Sequence, residues 1–123
     1  MTIKRPAAGW RIEGITTHPG SVLSEDFLKP MGISANRLAL QTRMPATRVG
    51  QILRARRSVS TDTALRLARY FGTSPEFWLN LQAAYDLSKA RIELDSAIQR
   101  DVEPLKWEGV GAYRAVQVND KPV

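Results

Sequence analysis

Apolar residues recur at spacings of three and four from about residue 18 to residue 100, and short polar or Gly/Pro breaks cut that pattern into five helices. The first is expected from His18-Pro19-Gly20 to about Leu28, with Val22, Leu23 and Phe27 as its apolar stripe and Pro30 and Gly32 ending it. Ser34 is a good N-cap for a second helix to about Thr42, on which Leu38 faces inward and Ala39 is small enough for close packing. Pro45 presets φ at the start of a third helix that extends to about Ala55. Ser60 and Thr61 open a fourth, where Ala64, Leu67, Ala68 and Phe71 recur at helical spacing before Gly72.

Ser74-Pro75-Glu76 combines a cap, a first-turn proline and a first-turn acid, and no Gly or Pro follows Pro75 until Pro104. A fifth helix to about Arg100 is thus expected, roughly 39 Å long at about 1.5 Å per residue. Its first half, with Phe77, Trp78, Leu81 and Tyr85, closes the core. Its second half carries Leu87, Arg91, Leu94 and Ile98 at spacings of three and four and has no core left to cover. Such a stripe marks a dimer interface, unless Trp107, Tyr113 and the tail of the same chain pack on it. The expected fold is all-α, with a five-helix domain over 18–100 between an N-terminal arm (1–17) and a C-terminal tail (101–123). Weak alternation over 110–118 makes that part of the tail an edge strand or a loose end.

Composition narrows the class. With 123 residues, 43% of them hydrophobic, the chain buries one modest core. It has no cysteine, so disulfides, thiolate metal sites and thiol nucleophiles are excluded. The basic start, Met-Thr-Ile-Lys-Arg-Pro, lacks the apolar run of a signal peptide, and no stretch approaches the roughly 18 apolar residues of a membrane span. A cytoplasmic protein without membrane contact is expected.

Charge changes the picture further. No acid lies between Asp26 and Asp62, a window that holds Lys29, Arg37, Arg43, Arg48, Arg54, Arg56 and Arg57. Against a net charge of +6 for the whole chain, that window accounts for the excess by itself. A compact helical unit with one basic face attracts a phosphate backbone. The alternative for any single arginine is a solvated surface charge.

On the third helix Val49, Ile52 and Leu53 share one arc, while Thr47, Gln51 and Arg54 fall opposite, flanked by Arg48 and Gly50, with Ala46 at the tip. That donor-rich face, preceded by a short helix and a tight turn, is a helix-turn-helix arrangement whose second helix enters the major groove. Ala46, Thr47, Arg48 and Gln51 are the candidates for base reading, since Gln pairs adenine bidentately and Arg pairs guanine. Asn36, Arg37, Arg43, Arg54, Arg56 and Arg57 are the candidates for phosphate contacts. Catalysis is not expected: His18 is the one histidine, and no His-Glu-x-x-His, Gly-rich phosphate loop or Gly-x-Ser-x-Gly occurs. Nor is any metal or cofactor.

Three segments carry a family resemblance: His18-Pro19-Gly20, the run from Phe27 through Ser34 into Asn36-Arg37-Leu38-Ala39, and above all Asp62 through Gln82, which includes Phe77-Trp78-Leu79-Asn80-Leu81-Gln82, continuing to Tyr85-Asp86-Leu87. Over about residues 18–90 the chain resembles the HigA-type antitoxins, single-domain helix-turn-helix proteins of the lambda-repressor-like (XRE) group. The resemblance implies a homodimer that represses its own operon by binding double-stranded operator DNA. It also implies binding and neutralisation of a RelE-like, mRNA-cleaving toxin of the HigB type. The other reading is a stand-alone or phage-type regulator with no toxin partner. Arg43 stands where such turns usually carry glycine, Thr47 and Gly50 replace bulkier polar residues, and Ala55 replaces a frequent glycine before the basic pair. These departures bear on the operator sequence, not on the fold.

Overall fold

The computed structural model describes residues 16–106. The strand expected over 110–118, Trp107, Tyr113 and nearly all of the N-terminal arm lie outside the described residues. The described residues form five helices and no strand: α1 (residues 19–31), α2 (Ala35–Thr42), α3 (Ala46–Leu53), α4 (Thr61–Phe71) and α5 (Pro75–Asp101).

His18 caps α1 from within the protein. Its ring is buried, Nδ1 accepts the Gly20 N–H at 2.8 Å, and Tyr85 of α5 packs edge-on with centroids 4.8 Å apart. Just before it, the Thr16 N–H donates to Ser88 Oγ at 3.0 Å, so the chain entering α1 is tied to α5. The expected end near Leu28 needs correction, because α1 runs on through Pro30 to Met31. After Pro19–Val22 the turns widen into a π-helical stretch, Leu23–Leu28, closed by the Lys29 N–H on the Ser24 carbonyl five residues back. In a regular helix interior the ring of Pro30 meets the carbonyl four residues back; the wider winding ahead of it relieves that collision.

The first four helices all stop the same way. Just past each end a backbone N–H reaches the carbonyl five residues back, from the second residue beyond α1, α2 and α4 and from the third beyond α3: Ile33 to Leu28 at 3.0 Å, Met44 to Ala39 at 3.0 Å, Arg56 to Gln51 at 2.8 Å, Thr73 to Ala68 at 3.2 Å. That closure requires one left-handed residue. Gly32 (φ 65°) and Gly72 (φ 77°) supply it without a Cβ, whereas Arg43 (φ 60°) and Ala55 (φ 59°) supply it at a steric cost. The two positions where the family resemblance leads to an expectation of glycine, 43 and 55, are the two strained stops.

The core gathers Leu23, Leu38, Val49, Ile52, Leu67 and Trp78, each 2% exposed or less. Trp78 seals it from α5, with its Nε1 donating to Thr73 Oγ1 at 2.8 Å and Phe27 packed at 5.1 Å. Gly20 lets α1 press against the end of α3, where a Cβ at residue 20 would lie 1.9 Å from the Ile52 carbonyl oxygen. Helix starts follow the expected caps. Ser34, Ser60 and Ser74 accept the N–H of Arg37, Thr63 and Phe77 at 3.0, 3.2 and 3.1 Å.

The chain divides into two compact units, Met1–Glu93 and Leu94–Val123. The first contains the whole core, and within it Trp78 and Gln82 are the buried residues of α5, while Leu87 and Arg91 are exposed. In the second, Leu94, Ile98, Val102 and Leu105 are all exposed.

Candidate nucleic-acid interface

Three residues, Arg43, Met44 and Pro45, separate α2 from α3. Met44 is buried beneath the turn, and Thr42 Oγ1 donates to the Leu38 carbonyl at 2.6 Å, which uses up the last polar side chain of α2. Pro45, with φ −61° and ψ 141°, then swings the chain into α3. Val49 and Ile52 are 1% exposed and lock α3 to the core, so the opposite arc has to face outward. Ala46 and Thr47 are exposed there and Gln51 is half-buried. Arg54, Arg56 and Arg57 continue the basic surface past the end of α3, all three exposed. Gly50 has a local use: a Cβ at this position would meet the Arg54 guanidinium at 3.4 Å, so the missing side chain leaves room for Arg54 to lie back along α3.

Two candidates are joined directly. Arg57 Nη1 donates to Gln51 Oε1 at 3.0 Å, which directs the Gln51 carbonyl toward the basic loop and leaves its NH2 free to donate. The loop itself is pinned from behind, as the Val59 N–H donates to the buried Gln82 Oε1 at 2.8 Å and Gln82 Nε2 donates to Asp86 at 2.9 Å. Asn36 and Arg37 stand exposed on the first turn of α2, and Arg37 Nε reaches Gln41 at 3.4 Å along its own helix. The Tyr70 hydroxyl donates to the same Gln41 oxygen. Arg43 is exposed at the strained stop of α2.

Arg48 is placed differently from the other arginines. It sits on the flank of α3, half-buried, with Nη1 2.6 Å from Asp62 Oδ2 on α4. Arg66 holds the same carboxylate at 3.0 Å and also donates from Nη1 to the carbonyls of Thr42 and Arg43 at 3.1 and 3.3 Å. Its positive charge therefore rests on the C-terminal end of α2, where orphan carbonyls and the helix dipole favour a cation. Hydrogen bonds from Arg48 and then from Arg66 hold the Asp62 carboxyl below the usual carboxylate range. Reading the helix wheel alone misses Asp62, Arg66 and Gln82. The available signal was the spacing of four between Asp62 and Arg66 on one helix; the partners across the fold have none.

Among the described residues no group of three or more His, Cys, Asp or Glu side chains is arranged to hold a metal ion. No described helix is long and apolar enough to cross a membrane.

A helix-turn-helix family profile matches residues 25–78, from within α1 to the first turn of α5. The virulence-associated protein I of Dichelobacter nodosus is 48% identical over 79 residues, which span 64% of this chain and 73% of that protein. The structure of an addiction module antidote protein of the HigA family from Coxiella burnetii superposes with a TM-score of 0.70 at 46% identity, covering 74% of this chain and 99% of the other. The chain belongs to the HigA family of helix-turn-helix antitoxins. A second structure, the Pseudomonas aeruginosa antitoxin HigA with the higBA promoter, has a TM-score of 0.71 at 41% identity and covers 73% of this chain and 98% of that one. As in the sequence expectation, the described residues of this HigA-type chain are all-α with a long last helix. In this HigA-type chain the helix stops on either side of α3 fall on non-glycine residues, Arg43 and Ala55.

Proposed function

We propose that this HigA-type chain is the antitoxin of a type II toxin-antitoxin module, a dimeric repressor that reads its own operator and neutralises a RelE-like, HigB-type toxin. The observation that carries the DNA-binding part is the outward arc of α3, whose donors face solvent while Val49 and Ile52 anchor it from behind. It is supported by the likeness to the Pseudomonas aeruginosa HigA, a structure that contains its promoter.

In this reading the N-terminal half of α3 enters the major groove. Ala46, Thr47, Arg48 and Gln51 face the base edges, and the free NH2 of Gln51 complements an adenine N7. Asn36, Arg37, Arg43, Arg54, Arg56 and Arg57 hold phosphates on either side, setting the register without reading sequence. The second half of α5 builds the dimer through Leu87, Arg91, Leu94 and Ile98, since exposed apolar groups at helical spacing gain most by pairing with a second copy. Two recognition helices about 34–36 Å apart would then meet successive major grooves on one face of a palindrome.

Two measurements test this. A dimer that neutralises about 6–8 phosphates lowers log affinity for its own upstream DNA with log salt at a slope of roughly −5 to −7; a slope near zero removes the DNA-binding role. Purification of the chain from its host should bring down a bound toxin that cleaves ribosome-associated mRNA. A chain that represses its promoter yet carries no such partner is a stand-alone regulator.

A further inference from the structure

Asp62 closes the acid-free window and sits on the first turn of α4, beside the recognition helix rather than on it. Both of its oxygens are engaged. Oδ2 takes Arg48 Nη1 at 2.6 Å, and Arg66 Nε lies 3.1 Å from Oδ1 and 3.0 Å from Oδ2. Thr63 Oγ1 offers Arg48 Nη1 a second acceptor at 3.4 Å. Arg66 is itself fixed on the carbonyls of Thr42 and Arg43, so the carboxylate is braced against the turn between α2 and α3. Among the described residues, Arg48 is the one arginine of the window in an ion pair.

An acid in this place weakens the general attraction for phosphate, which calls for a compensating use. A free arginine on a DNA-facing surface spends its charge on whichever phosphate is nearest, and that contact carries no sequence information. An arginine with one nitrogen fixed keeps its other N–H donors in a set direction, as bidentate reading of a guanine edge requires. We propose that Asp62 is a specificity-determining positioning residue, which withholds Arg48 from phosphates and aims its remaining donors at the bases. This rests on the DNA-reading role proposed above.

The test uses the full chain, a duplex selected by the wild-type protein from a randomised pool, and an unselected duplex of equal length at one salt concentration. D62N should bind the unselected duplex about threefold more tightly or better. It should lose about tenfold in the ratio of selected to unselected affinity, the discrimination expected of one base contact. D62E, which keeps the charge, should recover most of that ratio. In an R48A background D62N should leave the ratio unchanged.

A ratio within twofold of wild type in D62N, or an equal loss in the R48A background, overturns the proposal; the second result would mean that Asp62 acts only through the Arg66 brace. Should D62N melt below the assay temperature, R48K reads the same quantity, since lysine keeps the charge but not the fork. An unchanged ratio in R48K is equally fatal. A wild-type protein that selects no duplex from the pool removes the DNA-reading role and this inference together, whereas discrimination that survives D62N removes the inference alone.

Discussion

Replacing Ala55 with glycine should stabilise the protein, and replacing Arg43 with glycine should stabilise it while weakening DNA binding. Both residues hold φ near 60° at helix stops whose hydrogen bonding matches that of Gly32 and Gly72. A Cβ in the left-handed region costs roughly 1–2 kcal/mol, and glycine returns about 0.4–1 kcal/mol of that through the freer unfolded chain. A net gain of about 0.5–1 kcal/mol per site raises the melting temperature by roughly 2–6 °C for a domain of this size. The brace from Arg66 ends on main-chain carbonyls, so it survives Arg43→Gly. The two variants part company on DNA. Arg43→Gly removes one phosphate contact per subunit, which flattens the salt slope of the dimer by about 2 and weakens selected and random duplexes alike. Ala55→Gly should leave the slope where it is. Thermal melts followed by circular dichroism, with binding titrations at three or more salt concentrations, measure both effects. A melting temperature that falls in Ala55→Gly refutes the strain argument, and an unchanged slope in Arg43→Gly refutes the phosphate role. Nothing in the structure explains why alanine rather than glycine stands at 55.

Gly20→Ala drives a Cβ into the Ile52 carbonyl, a backbone group that cannot turn aside, so α1 or the end of α3 must shift at about 1–3 kcal/mol; a wild-type melting temperature would contradict the close approach. His18 is held below its ordinary pKa mainly by burial, Asp86 opposing and Lys89 adding to the effect, and its neutral Nδ1 is the acceptor that caps α1. Because the folded pKa is the lower one, stability is complete above the unfolded value of about 6.5 and declines as pH falls from there through the folded pKa. Urea melts at pH 7.5 and 5.5 should show that loss in the wild type and little of it in His18→Asn, whose side-chain oxygen caps without titrating in this range; equal losses in both proteins would exclude His18 as the source. Leu94→Asp combined with Ile98→Asp should give a folded monomer in sedimentation, with weak half-site binding, and a surviving dimer would place the subunit contact elsewhere.

Much of the fold was legible because its boundaries are set by local chemistry. Ser34, Ser60 and Ser74 cap where a hydroxyl before an apolar run is expected to cap, and Gly32 and Gly72 stop helices as only glycine does without strain. The error at Pro30 comes from the same locality. Proline signals a break, and the π-helical stretch that absorbs it depends on how Leu23 and Leu28 are held in the core, which no nearby residue announces. The wheel of α3 placed Val49 and Ile52 inward correctly, because a period of 3.6 is a property of the helix alone.

Charge was legible only as a total. Seven basic residues in an acid-free window point to the surface proposed for phosphate, yet they do not say which of them are free to meet one. That is decided by their partners, two of which lie on other helices. Asp62 takes Arg48 out of the general pool, Gln51 ties down Arg57, and Gln82 fixes the loop that carries Arg56 and Arg57 by a single bond to Val59. The separations involved, 14 residues for Arg48 with Asp62 and 23 for Val59 with Gln82, lie beyond any helical period. On the reading proposed above, affinity for DNA follows from the number of cations and could be read from the chain, whereas selectivity follows from how their side chains are held, which only the fold shows.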